Sequence, residues 1–308
     1  MISPSVLSPW RTGFSNGIYF MKTGYVAIIG DPNVGKSTLL NILLGMKLSI
    51  VSEKPQTTRG RVLGILTEGD HQVCFLDTPG ILKPAYELQK MMIDELRIAV
   101  QDSDVVVWLT GLWAKPEYVP RDLLKLAKGR PVIAVINKVD LYPKTQILPF
   151  IDRLKDQGFH SIVPVSALTG DGIDHLKRVI FECLPEGPFL YPVEDVSDRP
   201  EKFFVAEMIR EKIFQTFKEE IPYSTCVAIE EFKEREKGKF FIRAIIYVER
   251  DSQKAILIGK KGQSLKQIGA SVRPKIERFI NHTVYLELWV KVREKWQKDK
   301  KFLKEIGY

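Results

Sequence analysis

Cysteine is scarce in this chain. Cys74, Cys183 and Cys226 are the only three in 308 residues, and they lie far apart. They show neither C-x-x-C spacing nor the even, closely set pattern of a disulfide framework. That excludes a disulfide-stapled secreted scaffold and fits a reducing, cytoplasmic setting with each thiol in a core. Long apolar runs are missing as well: none approaches the roughly 18 residues of a membrane span. The first twenty residues lack the basic start and apolar centre of a signal peptide. They hold Pro4, Pro9, several serines and one basic residue, Arg11. They read as a disordered or non-native extension, with Met21-Lys22 as a natural start. Acid is short toward the other end, where residues 237–308 carry 18 Lys/Arg against 7 Asp/Glu. The whole chain has net charge +8 and a pI near 9.2. Such a balance points to a polyanionic partner, although a basic run alone is equally a solvated face.

What is present is more specific. A length of 308 residues, 44% hydrophobic and 27% charged, suits two globular domains. Gly30-Asp31-Pro32-Asn33-Val34-Gly35-Lys36-Ser37 reads G-x-x-x-x-G-K-S. An apolar strand is predicted before it over 25–29 and a helix after it over 38–44, the context a phosphate-binding loop needs. Its glycines let successive N–H groups point inward at anionic oxygens, and the helix start adds its positive end. Lys36 is expected to reach the outer phosphates, and Ser37 to ligate magnesium, with Thr38 beginning the helix.

A loop over 47–60 follows. Strands are then predicted over 61–67, 72–76, 105–109, 132–136 and 162–165, with helices over 122–128, 146–157 and 172–183. This alternation predicts an α/β domain, residues 21–187, with a mostly parallel sheet and its ligand at the carboxyl ends of the strands. The motifs fall there. Asp77-Thr78-Pro79-Gly80 is D-x-x-G after a strand; Asp77 is expected to hold magnesium and the Gly80 N–H to sense the γ-phosphate. Asn137-Lys138-Val139-Asp140 is N-K-x-D. The Asp140 carboxylate can accept from two guanine N–H groups, a donor pair that adenine lacks. Asn137 can tie down the phosphate loop, and the Lys138 stem can lie on the purine. Ser166-Ala167-Leu168 completes the base pocket, with the Ala167 N–H facing guanine O6.

In this order the motifs resemble the translation-factor-related GTPases. Thr57 and Thr58, in Gln56-Thr57-Thr58-Arg59, match the first switch region of that family. The resemblance implies that one of the two holds magnesium when GTP is bound; the sequence leaves both open. Lys36, Thr57, Thr58 and Gly80 are the catalytic candidates. One expected residue is missing: Ile81 stands where small G proteins commonly carry the glutamine that orients water. Slow intrinsic hydrolysis is therefore expected. Asn33 occupies the place where some relatives hold a potassium ion; the alternative is that it only caps a turn.

Residues 188–200 are aperiodic and Pro-, Asp- and Ser-containing, and read as a linker. A second domain, 201–308, follows. A helix is predicted over 201–218, strands over 223–232 and 240–248 joined by a hairpin turn at Lys237-Gly238-Lys239, a short helix over 253–258, a long one over 263–280 and a strand over 284–292. Gly259-Lys260-Lys261-Gly262 is a G-x-x-G between the two helices, led in by Ile258. This order resembles an α+β type II K-homology (KH) domain, a module that clamps about four unstacked nucleotides. Lys260, Lys261, Lys266 and Arg273 are expected to meet RNA phosphates, with Lys275 and the basic stretch 291–304 extending the track. Ile245, Ile256, Leu257 and Ile268 are expected to line the groove. Pro274 is expected to kink or break the long helix by removing a hydrogen bond to Ala270.

A single GTPase domain followed by a KH domain with its G-x-x-G intact resembles the Era family of bacterial ribosome-assembly GTPases. The closing Leu286-Glu287-Leu288-Trp289-Val290-Lys291-Val292 is similar to that family's last strand. The resemblance implies GTP/GDP and Mg²⁺ as ligands, with K⁺ at Asn33. It implies binding near the 3′ end of 16S ribosomal RNA and a role in 30S subunit assembly, not a DNA partner. It also implies a monomer in the cytoplasm, with peripheral association at the inner membrane in some members. GTP is expected to reorganise the loops 47–60 and 80–90 and so change how the KH domain meets RNA. The competing expectation is an RNA-binding scaffold with structural nucleotide and negligible turnover.

Overall fold

The computed structural model describes residues 21–113, 119–235 and 239–307. The expectations for residues 1–20 and for a turn at Lys237-Gly238 lie outside the described residues. The first sheet contains β1 (Lys22–Gly30), β2 (Val62–Glu68), β3 (His71–Asp77), β4 (Val105–Gly111), β5 (Val132–Asn137) and β6 (Ser161–Pro164). Their order is β2-β3-β1-β4-β5-β6; β2 is antiparallel to β3, and the other pairs are parallel. Strands such as Val105-Val106-Val107-Trp108-Leu109 are apolar throughout because both faces are covered. On one face Val26, Ile28, Phe75 and Val107 meet α1 (Lys36–Leu44) and α5 (Ile173–Cys183). On the other, Ala27, Ile29 and Leu76 meet α2 (Glu87–Asp102) and α4 (Lys144–Lys155).

Two sequence expectations change here. The loop predicted over 80–90 ends at Glu87, where α2 starts. Leu88, Met92, Leu96 and Ala99, all buried, recur at helical spacing and carried the signal. The helix predicted over 122–128 divides into α3 (Arg121–Leu124) and a 3₁₀ turn, Lys125–Ala127.

The predicted linker is fastened to the first sheet. Ile65 N–H donates to the Val196 carbonyl at 2.9 Å. Ser197 Oγ donates to Leu63 O at 2.6 Å, and the Gln72 amide bonds the backbone of Leu190 and Tyr191. The open edge of β2 needs partners for its backbone groups, and the linker supplies them.

The second sheet has β7 (Cys226–Arg235), β8 (Lys239–Val248) and β9 (Thr283–Val292) in that order. β7 and β8 are antiparallel; β8 and β9 are parallel. One face packs on α6 (Glu201–Thr216), α8 (Asp251–Ile258) and α9 (Gln263–Ile280); α7 (Ile221–Ser224) precedes β7. α9 runs unbroken through Pro274, against expectation. Pro274 and Ala270 both face solvent, so water can take the freed carbonyl, while buried Val272 and Ile276 hold the helix on the core. Leu257 and Ile268 are fully buried core residues, and Ile245 points to the opposite face of the sheet. Of the four expected groove residues only Ile256 is exposed.

The basic tail is also folded. Trp296 is fully buried, and with Phe302 and Leu303 of α10 (Lys300–Glu305) it packs on Leu88 and Met92 of α2 and on Cys226. Lys298, Lys300, Lys301 and Lys304 stay outside this cluster. An amphipathic segment, legible in the sequence only as charge, joins the two sheets.

Candidate nucleotide site and nucleic-acid face

The phosphate loop closes at Gly35, whose φ of 104° only glycine adopts readily. A Cβ there would lie 2.3 Å from Asn137 Nδ2. Lys36 follows with 6% of its surface exposed. Its Nζ donates to Gly30 O at 3.1 Å and Asp31 O at 2.8 Å. Burial pushes this amine down to about 8, partly opposed by the charges of Asp77 and Asp31. A cation held by carbonyls alone favours an incoming anion. Burial likewise raises the carboxyls of Asp31 and Asp77.

Three oxygens meet beside it. Ser37 Oγ donates to Asp77 Oδ2 at 2.8 Å and lies 3.0 Å from Thr58 Oγ1. Asp77 is fully buried, and its Oδ1 has no hydrogen-bond partner among the described residues. Two hydroxyls and one carboxylate with unused lone pairs form a hard-oxygen set that fits magnesium. Thr57 is not in the set: it is buried, and its hydroxyl donates to Lys54 O at 2.7 Å. Thr78 also points away, donating to Ile28 O at 2.7 Å. Val34 contributes backbone, since its side chain is in the core.

At the far end Asn137 is 2% exposed. Its Nδ2 donates to Val34 O at 2.8 Å, and its Oδ1 accepts from Ala167 N–H at 2.9 Å. The Ala167 N–H, expected to face guanine, is thus engaged by Asn137 here. Lys138 Nζ donates to Asn33 O at 2.9 Å and lies 5.0 Å from the Trp113 ring centre. Asp140 is exposed on the next turn. Ser166 is buried and its Oγ accepts from Thr169 N–H, whereas Leu168 is exposed. A cavity of about 380 Å³ lies over the phosphate loop and under the switch loop, lined among others by Pro32, Asn33, Gly35, Thr38, Glu53 and Gly80, and it reaches the base side at Lys138. Pro79 is buried behind it. Ile81 turns its side chain into the core. Asn33 Nδ2 donates to the Glu53 carbonyl at 2.7 Å, so the switch loop closes over the phosphate loop.

Sequence reasoning missed what holds that loop. Arg59, next to Thr58, is 4% exposed. It donates to Thr225 O at 2.6 Å and to Pro222 O and Tyr223 O at 3.1 Å. Its guanidinium lies between the rings of Phe214 and Trp296, 5.9 and 5.6 Å from their centres. Lys54 Nζ donates to the Phe214 and Phe217 carbonyls at the end of α6. Glu211, 2% exposed, accepts from Lys47 Nζ at 2.6 Å and Val51 N–H at 3.1 Å, with Lys275 of α9 at 3.9 Å. The only advance signal was an arginine directly after the switch threonines.

In the second sheet unit, Gly259 has φ 72° and ψ 177°, and a Cβ there would lie 2.6 Å from the Ser264 Cβ. Lys261 is left-handed, and Gly262 opens α9 without a side-chain cap. Lys260, Lys261, Lys266 and Arg273 are all exposed, and Ile258 is half-buried behind them. The loop therefore presents two cations and the free N–H end of an 18-residue helix.

Fold and site together define a P-loop GTPase domain carrying a C-terminal KH domain. A family profile described as a 50S ribosome-binding GTPase matches residues 25–138, and a KH-domain profile matches 220–297. The chain is 47% identical over 291 residues to GTPase Era of Geobacter metallireducens, covering 93% of this chain and 98% of that one. It is 46% identical over 294 residues to GTPase Era of Lactobacillus helveticus, covering 93% and 96%. The fold matches a crystal structure of Era in complex with MgGDPNP and nucleotides 1506–1542 of 16S ribosomal RNA (TM-score 0.89, 41% identity, 94% of this chain and 99% of that one). It also matches a point variant of Aquifex aeolicus Era bound to GDP·AlF4⁻ (TM-score 0.88, 42% identity, the same coverage). The chain belongs to the Era family of GTPases.

Proposed function

We propose that this GTPase couples the state of its nucleotide to single-stranded RNA held at Gly259–Gly262, near the 3′ end of 16S ribosomal RNA, and so assists 30S assembly. Residues 21–187 are the nucleotide-operated part, 188–200 the tether and 201–308 the RNA-binding part. The observation that carries this is the switch loop itself. Thr58 faces the Ser37–Asp77 oxygens, and the adjacent Arg59 is gripped by the KH domain. An RNA-bound Era of nearly the same length supports the small-subunit reading, and it weighs more than a profile spanning the first domain alone. The protein works as a cytoplasmic monomer; no helix among the described residues is long and apolar enough to cross a membrane. Association with the inner membrane, in this reading, is peripheral.

Ser37 and Thr58 would hold magnesium, with Asp77 behind them. The ion would supply charge neutralisation at the outer phosphates. Lys36 binds the same phosphates, and the phosphate-loop N–H groups orient them. Hydrolysis breaks the bond between the γ-phosphorus and the β–γ bridging oxygen as water adds to that phosphorus. Ile81 has no group to orient the water, so intrinsic turnover is slow. The Asn33 side-chain oxygen, whose amide partner Nδ2 donates to Glu53 O, would hold potassium, adding positive charge at the phosphates.

The direct test compares RNA affinity with GTP analogue and GDP, and single-turnover hydrolysis with and without RNA and potassium. Tighter RNA binding with the analogue, and faster hydrolysis with RNA, are expected. No nucleotide effect on RNA and no hydrolysis above background would leave a scaffold instead.

Two substitutions address the two ligands separately. Asp140→Asn removes a charged acceptor for two guanine N–H groups. GTP affinity should fall roughly 100-fold, with preference moving toward xanthosine nucleotides, whose extra carbonyl can accept from the amide. Nucleotide competition binding measures this; unchanged GTP affinity refutes the base assignment. Lys260→Asp with Lys261→Asp should abolish RNA binding and leave GTP affinity intact. Each lysine that neutralises a phosphate on a single strand contributes about −0.7 to the log–log salt slope. Surviving RNA affinity with an unchanged slope would place the RNA elsewhere.

A further inference from the structure

The outer face of the second sheet carries side chains that the Gly259–Gly262 loop does not use. Along β8 and β9 the alternate residues Ile242, Ala244, Ile246, Val284 and Val290 face the helices. The residues between them face outward in register: Phe241 beside Tyr285, Arg243 beside Glu287, Ile245 beside Trp289. One end of this face is covered, where Tyr247 meets Phe302 edge-on at 5.0 Å and Cys226 lies against α2. The other end is open.

There Tyr285 is 61% and Trp289 56% exposed. They lie four residues apart on one strand and on the same face, about 13 Å along it. Phe241 lies buried between supports: Tyr285 stacks on it with ring centres 5.8 Å apart and planes at 13°, and the Arg235 guanidinium lies 3.7 Å over its centre. Arg243 is fixed by Glu287 at 2.9 Å and Glu231 at 2.5 Å. Lys291 and Lys233 pair with Glu230 and Glu231 at 3.6 and 3.7 Å, and Lys239 is also exposed. Tyr285 is thus held against Phe241, Trp289 stands beside Ile245, and paired cations and carboxylates rim the face.

β9 is the edge of its sheet. Its inner face carries Leu288, which α9 approaches at Gly269, where a Cβ would lie 3.5 Å from Leu288 Cδ1. The helices bearing the Gly259–Gly262 loop thus pack on one face of the strand that presents both rings on the other. α9 runs back along β9, and Gly269 lies beside Leu288, so the loop before α9 lies toward the Val292 end of β9, with Trp289 the nearer ring and Tyr285 the farther.

We propose that Tyr285 and Trp289 form a second contact for single-stranded RNA, stacking on unpaired bases beyond those held at Gly259–Gly262. This rests on the KH site being an RNA site. Aromatic faces take any base, and Lys239, exposed and with no ion pair among the described residues, can take a phosphate. A protein partner fits less well: two rings among ion-paired side chains offer little of the apolar centre that a stable protein interface buries.

The test uses the full chain and two oligoribonucleotides, one of about four residues and one of about twelve, within the span that such sites cover. Affinities are measured for the native protein, Tyr285→Ala/Trp289→Ala and Tyr285→Phe/Trp289→Phe. The native protein should bind the longer oligomer more tightly. The alanine pair should lose that gain, about tenfold or more per ring, and the phenylalanine pair should keep most of it. Binding of the short oligomer should be equal in all three. A length gain retained by the alanine pair overturns the proposal and leaves the face to a protein partner. Loss of short-oligomer affinity in the alanine pair also overturns it, since disturbed packing would then be the cause. If no form binds the short oligomer while all bind the longer one equally, the KH-site reading and this proposal both fail. If no form binds the short oligomer but the length gain still tracks the rings, only the KH-site reading fails.

Discussion

Lys36→Ala is expected to slow GTP hydrolysis by about two to three orders of magnitude, the usual loss when one preorganised donor to developing charge is removed. The effect should be large because the amine is already committed. It is buried, and among the described residues its hydrogen-bond acceptors are the Gly30 and Asp31 carbonyls. The free protein bears the cost of that buried charge, and phosphate oxygens relieve it. Folding should therefore survive the substitution while catalysis does not. The pH dependence has a definite sign. Burial holds the folded-state amine near 8, below the ordinary lysine value of 10.5. Between those values the unfolded chain binds more protons, so the cost fades and the nucleotide-free protein gains stability as pH rises. The Lys36→Ala variant should lack that gain. Nucleotide affinity should move oppositely, falling as pH rises past 8 and the amine loses its proton. Single-turnover hydrolysis and thermal unfolding from about pH 7 to the ordinary lysine range measure both. Hydrolysis within a few-fold of native would remove Lys36 from the mechanism.

Arg59→Ala should separate the two domains functionally without emptying the nucleotide site. Three carbonyls lose a charged donor, Thr225 O outright, while Pro222 O keeps Thr225 Oγ1 and Tyr223 O keeps Gln297 Nε2; Phe214 and Trp296 lose the plane packed between them. Hydrogen bonds to a charged group contribute about 1.5–3 kcal/mol each and do not simply add; a loss on the order of 3–5 kcal/mol at the domain junction is expected. GTP affinity should change little, because Arg59 does not line the phosphate cavity. The difference in RNA affinity between GTP-analogue and GDP forms should vanish. Arg59→Lys should not restore it, since one ammonium cannot fork to three carbonyls or stack between two rings. RNA binding in both nucleotide states, with unfolding followed at each domain, measures this. A preserved nucleotide effect on RNA would show that the coupling runs elsewhere.

How far the sequence could be read depended on how locally each feature is built. The phosphate loop and the D-x-x-G and N-K-x-D turns each depend on a few neighbouring residues with special backbone or side-chain chemistry, so they stood out. The Gly259–Gly262 turn was visible for the same reason. Helix α2 is less legible: Leu88, Met92 and Leu96 recur at helical spacing, but its N-terminus carries no side-chain cap, so nothing local marks where the loop ends and the helix begins. Pro274 misled in the other direction. A local helix-breaking rule gave way to Val272 and Ile276, which anchor the helix from both sides.

By itself the sequence determined the order of the strands, the guanine-nucleotide chemistry, the missing glutamine at Ile81 and the RNA-binding module. Each follows from periodicity or from residues adjacent in the chain. Only the tertiary structure set Thr58 beside Ser37 and turned Thr57 away to Lys54 O, a difference between neighbours that no local pattern encodes. Only it turned the basic tail into a bridge, because Trp296 finds its partners 72 residues earlier at Ser224 and farther back still on α2. And only it brought Arg59 to the carbonyls of 222–225, more than 160 residues away. Contacts of that separation leave no period in a sequence. They form when two cores close on each other, and in this protein they join the nucleotide switch to the RNA-binding domain.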